Sequence, residues 1–267
     1  MNYSLTLIVS ILLIAAPALY GETKAITVGV ADTNYYPHHD FENNQTRGYI
    51  YDVLALFQAA SDYHVVYVPL PIKRLKNRFF HKKDIDLYYP YNPNWHKPTE
   101  PKLEIHYSAP VVSILGGTMV LKENLGKGLK HFHALSVPRG FTPIEWYKIQ
   151  HEHKVNIVEV SNASDALRMV LKKRVDGADV EFNVAQHLLK KLGYRDKLAL
   201  DPELPLSIVD FHLVTLKQKQ FIAEFNAFII ENPTLIRSLK RKYGLRESLD
   251  DLGYLLSKNA PNQVNNR

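Results

Sequence analysis

The chain contains no cysteine among its 267 residues. Disulfides, thiolate metal sites and a lipid-modified cysteine near the N-terminus are therefore excluded. Long hydrophobic runs are also missing: the low-polarity run near the N-terminus spans only 12 residues, 5–16. That is too short for a membrane-spanning helix, which needs about 20 residues. The fold must rest on its hydrophobic core, and a chain of this length can bury one.

Sequence signatures of catalysis are scarce. The G-x-S-x-G and H-E-x-x-H patterns do not occur, and these would mark a serine nucleophile or a zinc hydrolase. Paired carboxylates occur, but no pattern assigns either pair to a cleft: Asp84/Asp86 and Asp250/Asp251. The 12 histidines include three close pairs: His38/His39, His131/His133 and His151/His153. A zinc site needs further ligands and an orienting second shell, so we expect no metal, no cofactor and no enzyme activity.

The net charge of +6 raises the question of a nucleic-acid partner. The basic residues recur along amphipathic helical segments, in the ranges 73–78, 172–174 and 240–242. Such runs are typical of solvated helix faces. We therefore expect no nucleic-acid partner, and a monomer.

The N-terminus has the layout of a secretory signal peptide. The low-polarity run at 5–16 is followed by Pro17 and by Gly21, ahead of the charged Glu22, although the first four residues contain no Lys or Arg. We expect cleavage near Gly21, which would leave 246 residues (267 − 21), and export to the bacterial periplasm. An uncleaved N-terminal anchor is the alternative.

A repeated pattern predicts two similar α/β lobes. Residues 83–89 and 174–181 each run from a basic turn to a hydrophobic residue, an Asp and an apolar strand, with Asp86 and Asp176 separated by 90 positions (176 − 86). A strand-helix-strand pattern precedes each unit, which predicts right-handed crossovers and mostly parallel sheets. We interpret Asp86 and Asp176 as structural hydrogen-bonding residues.

The predicted elements follow from hydrophobic periodicity and turn residues. Strands are predicted at 25–30, 65–68, 85–89, 134–137, 155–160, 178–180 and 211–214. Helices are predicted at 49–61, 72–80, 143–151, 164–174 (with Ser164 as the cap), 184–192 and 221–243. We assign residues 22–117 and 205–258 to lobe 1, 118–204 to lobe 2, and 259–267 to a disordered tail.

The order of these segments resembles the type II periplasmic solute-binding proteins, specifically the family 3 branch that binds amino acids for ABC importers. The matching segments cover nearly all of residues 24–246: 26–30, 35–37, 47–52, 69–74, 84–86, 107–110, 136–140, 174–181 and 226–244. The resemblance implies a two-lobed type II fold, each lobe a mostly parallel sheet flanked by helices, joined by a two-segment hinge. It also implies a ligand held between lobes that close.

The resemblance assigns ligand contacts to residues on both sides of the cleft. Glu181 takes the position of the acid that meets an α-ammonium, and Tyr35 that of an aromatic wall. The remaining assigned residues are Tyr91, Asn92, Trp95, Arg139, Phe141 and Thr142. The alternatives are core or rim packing for Tyr35 and Tyr91, a loop anchor for Trp95, and solvated charges for Glu181 and Arg139.

One departure from the family pattern concerns the carboxylate clamp. Residues 92–105 contain no Arg, only Lys97 and Lys102, and Lys lacks the planar fork that holds a carboxylate bidentately. With Trp95 and several tyrosines nearby, a cationic or ring-bearing ligand is expected instead of an ordinary α-amino acid. We predict an exported solute-binding protein serving an ABC importer; a sensory module signalling to a membrane receptor is the alternative.

Overall fold

The computed structural model describes residues 23–95 and 102–252. Its strands are β1 Lys24–Ala31, β2 Asn34–Tyr35, β3 His39–Asp40, β4 Tyr63–Leu70, β5 Leu87–Tyr91, β6 His106–Tyr107, β7 Val112–Leu121, β8 Ala134–Pro138, β9 Asn156–Val160, β10 Gly177–Asp179, β11 Leu198–Leu200 and β12 Leu206–Thr215. Its helices are α1 Tyr49–Ala59, α2 Ile72–Lys76, α3 Ile144–Ile149, α4 Ala163–Leu171, α5 Phe182–Lys191, α6 Lys219–Glu231 and α7 Pro233–Lys242. Within these two described ranges, no helix is long and apolar enough to cross a bilayer.

Ten strands form one continuous sheet in which the same arrangement occurs twice. The main path runs β4-β1-β5-β12-β7-β10-β8-β9. In the first half, β4, β1 and β5 are parallel and β12 is antiparallel to β5. In the second half, β9, β8 and β10 are parallel and β7 is antiparallel to β10. The predicted pair of mostly parallel α/β sheets is confirmed.

The strands β7 and β12 join the two halves. Residues 112–117 of β7 pair antiparallel with residues 206–211 of β12, while the far end of each strand pairs into a different half. Gly117 lies at this crossing, and a Cβ there would come within 2.6 Å of Leu200 Cδ1. The exact lobe limits, 22–117 with 205–258 and 118–204, stay a prediction.

The repeated Asp residues have equivalent structural roles. Asp86 accepts hydrogen bonds from the Thr27 N–H at 2.9 Å and the Thr27 hydroxyl at 2.6 Å, on the first strand of its half. Asp176 accepts from the N–H groups of His133 and Ala134 at 2.7 and 2.9 Å, where the first strand of the second half begins. Both carboxylates are therefore structural hydrogen-bonding residues, as interpreted from the sequence, but they anchor a neighbouring strand and not the turn or helix end that we expected.

Two predicted helix boundaries are wrong. The α4 helix is capped by Asn162, whose side chain accepts from the Asp165 N–H, so Ser164 lies inside the helix. The single helix predicted at 221–243 is two helices, α6 and α7, separated at Asn232. Pro233 has no N–H to continue a helix but suits the first turn of the next one.

The larger core cluster draws on both halves. In the first half, α1 packs on α6 through aromatic edges, with Phe57 lying 5.2 Å from Phe221 and 5.3 Å from Phe225 between ring centroids. In the second half, Leu167 of α4 and Leu188 of α5 belong to the same cluster. The buried Trp146 lies in a separate, smaller cluster and donates to the Thr118 hydroxyl at 3.0 Å. The predicted signal segment at 1–21, Lys97, residues 253–258 and the tail at 259–267 lie outside the described residues.

Candidate binding cavity between the two halves

A cavity of about 140 Å³ lies between the two halves of the molecule. It has room for on the order of ten water molecules, which matches a small organic ligand. Residues from both halves and from the shared strands line it, including Ala31, Gly140 and Asp179. These three lie at or just after the carboxyl ends of β1, β8 and β10, the edge at which open α/β sheets bind ligands.

Aromatic rings form much of the wall. Tyr35 from the first half lies 5.4 Å from Phe141 of the second, between ring centroids. Phe211 on the shared strand β12 lies 5.6 Å from Trp95 and 6.4 Å from Tyr35. All four residues line the cavity. Rings arranged in this way can pack on a planar or cationic group.

The structure brings five of the eight predicted site residues together around the cavity: Tyr35, Trp95, Phe141, Thr142 and Glu181. Burial, reinforced by the charges of Glu181 and Asp179, raises the pKa of the Tyr35 hydroxyl well above its usual value. Tyr35 is therefore a neutral phenol at physiological pH. It belongs to the main core cluster and also lines the cavity, so both core packing and ligand contact stay open for it.

The other three predicted residues, Tyr91, Asn92 and Arg139, are not among the residues that line the cavity. Tyr91 is fully buried in a separate aromatic cluster, 5.4 Å from Phe80. The side-chain amide of Asn92 donates to the Asp210 carbonyl at 2.9 Å and so anchors its own turn. Arg139 is exposed at the surface. Packing and turn formation account for the first two positions.

Glu181 lines the cavity, but local partners already engage its carboxylate. As the cap of α5 it accepts the Val184 N–H at 2.8 Å, and it accepts the Asn183 side-chain amide at 2.6 Å. His38 Nε2 lies 3.1 Å from the same carboxylate. The side chain is buried to 2% exposure. An acid placed just before a helix satisfies that helix's free N–H groups, a role that neither the family resemblance nor the alternative of a solvated charge assigns to Glu181.

Sequence reasoning missed two polar residues of the cavity, Asp179 and His39. Asp179 ends β10, is half-buried and lines the cavity. Within the described segments of the chain, its carboxylate has no hydrogen bond or ion pair. Burial raises the pKa of Asp179 to about 7. The signal that could have found it is its place inside the second repeat, at the end of an apolar strand.

His39 lines the cavity with one ring nitrogen unsatisfied. Its Nδ1 is buried and has no hydrogen-bond partner within residues 23–95 and 102–252. Burial, with the adjacent His38, lowers the pKa of His39 to about 3. The ring is therefore neutral at physiological pH. In the described residues, no group of three or more acidic or histidine side chains is arranged to hold a metal ion.

The two halves are in direct contact around the cavity. Asn183 of α5 exchanges two hydrogen bonds with the Arg246 backbone, each 2.9 Å long. The ring of Tyr36, in the first half, lies 4.5 Å from that of His187 on α5. Gly140, at φ +89°, places its backbone against Ile72, where an added Cβ would lie 3.3 Å away. The two halves are therefore joined by hydrogen bonds, by ring packing and by close backbone approach.

Comparison with solved structures identifies the architecture. A histidine kinase sensor domain with similarity to periplasmic binding proteins superposes with a TM-score of 0.66 at 13% identity, over 83% of this chain and 96% of that one. The substrate-binding protein of an amino acid ABC transporter gives a TM-score of 0.63 at 16% identity, over 82% and 98%. This chain has the type II periplasmic-binding-protein fold.

Other type II proteins give the same result. A Streptococcus mutans structure from work on glutathione import through GshT superposes with a TM-score of 0.66 at 20% identity, over 82% of this chain and 94% of that one. No protein-family model and no curated protein gives a significant match to the sequence. Identities of this size establish the fold, and the resemblance inferred from sequence is confirmed at that level. These neighbours are binding and transport proteins, not enzymes.

Proposed function

We propose that this chain is an exported solute-binding protein that captures a small polar ligand between its two halves and delivers it to an ABC importer. The observation that carries the proposal is the cavity itself: aromatic rings from both halves enclose it, and the Asp179 carboxylate lies in it without a partner among the described residues. A pocket of this kind, apolar with a few polar groups, is typical of small-molecule sites. No step of covalent chemistry is needed.

The supporting features are consistent with one another. The lobes, 22–117 with 205–258 and 118–204, would rotate about the strand pair β7–β12, which is the only strand pairing between the halves in the described sheet path. The signal-like segment at 1–21 would direct the chain to the periplasm. The proposed partners are the small ligand and a membrane permease.

The test is a thermal-shift screen of residues 22–267 against amino acids, polyamines, sugars and nucleosides. A ligand present at 100 times its Kd adds about 2.7 kcal/mol of stability, which raises Tm measurably. Mature protein that no member of a broad cationic, neutral and anionic panel stabilises would contradict the proposal. A hydrolase or dehydratase assay on the same material tests the opposite possibility, that this chain is a catalytic relative of the fold.

The second candidate function is that of a sensory module with the same fold. A histidine kinase sensor domain and the Bordetella pertussis BvgS VFT2 domain are among the similar structures. The VFT2 domain superposes with a TM-score of 0.65 at 16% identity, over 82% of this chain and 93% of that one. The two candidates differ in the partner. Deletion of a transport component abolishes uptake of the labelled ligand, whereas deletion of a sensory component leaves uptake intact and removes a transcriptional response. Genes for a permease and ATPase, or for a sensor kinase, beside this gene would give the same distinction.

A further inference from the structure

Among the acidic residues of the cavity, Asp179 differs from the others in having no partner within the described residues. Glu181 is engaged by the α5 N-terminus, by Asn183 and by His38. Glu145 also lines the cavity, and its carboxylate pairs with Lys148 at 2.7 Å. For Asp179 no hydrogen bond or ion pair occurs in residues 23–95 and 102–252. Asp179 is half-buried, so its carboxylate is partly removed from water with no protein partner in exchange. Desolvation of a charge costs free energy unless it is paired, and a cationic ligand in the cavity would supply that partner.

The charges around the cavity favour a cation as that partner. The acidic lining residues are Asp179, Glu145 and Glu181, and Lys76 is the one Lys or Arg among the described lining residues. Rings of Tyr35, Trp95, Phe141 and Phe211 surround the same space. Aromatic faces attract cations most strongly when water is excluded, and a carboxylate next to them adds a charge-assisted hydrogen bond.

We propose that Asp179 is the acid that recognises the ligand in this cavity, and that the ligand is a compact organic cation, an amine or a guanidine. The inference rests on the proposed solute-binding function and specifies its ligand class. The charge of the ligand would then lie against Asp179, two positions before Glu181, the acid that the family resemblance indicated. The cavity volume of about 140 Å³ suits a small ligand.

The first test is a matched set of probes on mature protein. Benzylamine, agmatine and choline carry a cation; benzyl alcohol is the neutral counterpart of benzylamine, and benzoate is the anionic one. We expect one or more of the cations to raise Tm and to bind in titration calorimetry, and the neutral and anionic probes to be inert. Failure of all cations, or equal binding of benzyl alcohol or benzoate, overturns the cation assignment.

The second test uses variants. Asp179→Asn keeps the size of the side chain and removes its charge, so we expect at least a tenfold loss of affinity for the bound cation with no loss of stability in the free protein. Glu159→Gln is the matched control, because it removes an exposed acid on β9 of the same half that does not line the cavity; its affinity should stay within threefold. Unchanged affinity in Asp179→Asn overturns the role of Asp179.

The third test is the pH dependence of binding. Burial raises the pKa of Asp179 to about 7, so its ionised fraction falls below that pH and the apparent affinity for a cation should weaken by about five- to tenfold per pH unit. The other titratable groups that line the cavity are Tyr35, His39, Lys76, Tyr88, Glu145 and Glu181. Two more lie next to these groups: Tyr147 near Asp179, and His38 near Glu181. The pKa shifts of His39 and the two tyrosines Tyr35 and Tyr147 keep these three groups neutral between pH 5 and 8.

The pH slope should therefore disappear in Asp179→Asn. A slope that persists in that variant assigns the titration to another group and contradicts the inference. If a neutral or anionic compound from the broad screen binds instead, the solute-binding function stands and only the cation assignment fails. If nothing in the broad screen binds, the proposed function fails with it.

Discussion

Glu181 and Asp179 are two positions apart and have different physical environments. Glu181 caps α5 and is hydrogen-bonded on both oxygens, whereas Asp179 ends β10 facing the cavity. Glu181 therefore contributes to the stability of the folded chain. The partly desolvated Asp179 carboxylate lowers that stability until a cation binds. Substitutions at the two positions should therefore separate folding from binding.

Glu181→Ala should lower the free energy of unfolding of the free protein by about 1–2 kcal/mol, because it removes a helix cap and one of the two acceptors of the Asn183 amide. Urea denaturation with no added compound measures this. Asp179→Asn is the control, with equal or greater stability than the native chain. If Glu181→Ala retained full stability and only lost affinity, the acid inferred from the family resemblance would be the ligand contact after all.

Asp86 links the third strand of its half to the first. Burial raises the pKa of Asp86, but hydrogen bonds from Thr27 and Gln218 and the charge of Lys217 outweigh burial, so the net pKa is lowered. A lowered folded-state pKa stabilises the protein above the unfolded value near 3.9 and loses that effect as pH falls through the folded value.

Asp86→Asn should therefore cost about 1–2 kcal/mol of unfolding free energy at pH 7, the scale of charged hydrogen bonds discounted for partial exposure. Chemical denaturation at pH 7 and pH 3 measures it, and the difference from the native chain should shrink at pH 3. Asp84→Asn, at the exposed Arg78 pair, is the control and should change little. A loss of equal size at both pH values would show that charge is not the cause.

At the scale of single elements, the helix and strand predictions succeeded where periodicity extends over many residues and failed at boundaries. The β1 and β9 strands and the α1 helix lie within two residues of their predicted limits. The α4 start and the break at Asn232 were missed, because capping depends on which side chain the backbone turn brings to a free N–H. Ser164 and Asn162 both fit a cap by residue type.

Asn162→Ala should destabilise the protein by about 1 kcal/mol, since its side chain accepts the Asp165 N–H at 2.9 Å at the start of α4. Thermal and urea unfolding of the purified variant measure the loss. Ser164→Ala is the matched control, because Ser164 lies within the helix, where Ala has the better propensity. Equal losses in both variants would contradict Asn162 as the cap.

At the scale of the whole molecule, the repeated Asp units and the repeated strand order are the same feature. In each half the Asp precedes the third strand and binds the backbone of the first, and this regularity made two lobes predictable from sequence. The cavity was predictable only to a limited extent. Tyr35 and Phe141 face each other because separate halves bring them together, while Tyr91 points into a cluster that no local pattern distinguishes from the cavity.

Closure of the two halves should depend on contacts outside the cavity. The ring of His187 packs against Tyr36 across the halves, and burial, with the charges of Lys191, Arg47 and Lys190, lowers the pKa of His187. The neutral ring can then pack without a charge to desolvate. An aromatic pair is worth about 0.5–1.5 kcal/mol, which corresponds to roughly a two- to tenfold change in the closed-to-open ratio.

His187→Ala should therefore shift the molecule toward an open state by that factor with the cavity residues untouched. The absence of cysteine allows two labels to be introduced without background, at Lys73 on α2 and Lys172 after α4, both exposed and on different halves. Single-molecule energy transfer between them measures the distribution of distances. His64→Ala, an exposed histidine on β4, is the control. An unchanged distance distribution in His187→Ala would mean that the contact between His187 and Tyr36 does not stabilise the closed state. The Asn183–Arg246 hydrogen bonds would then be the next contact between the halves to remove.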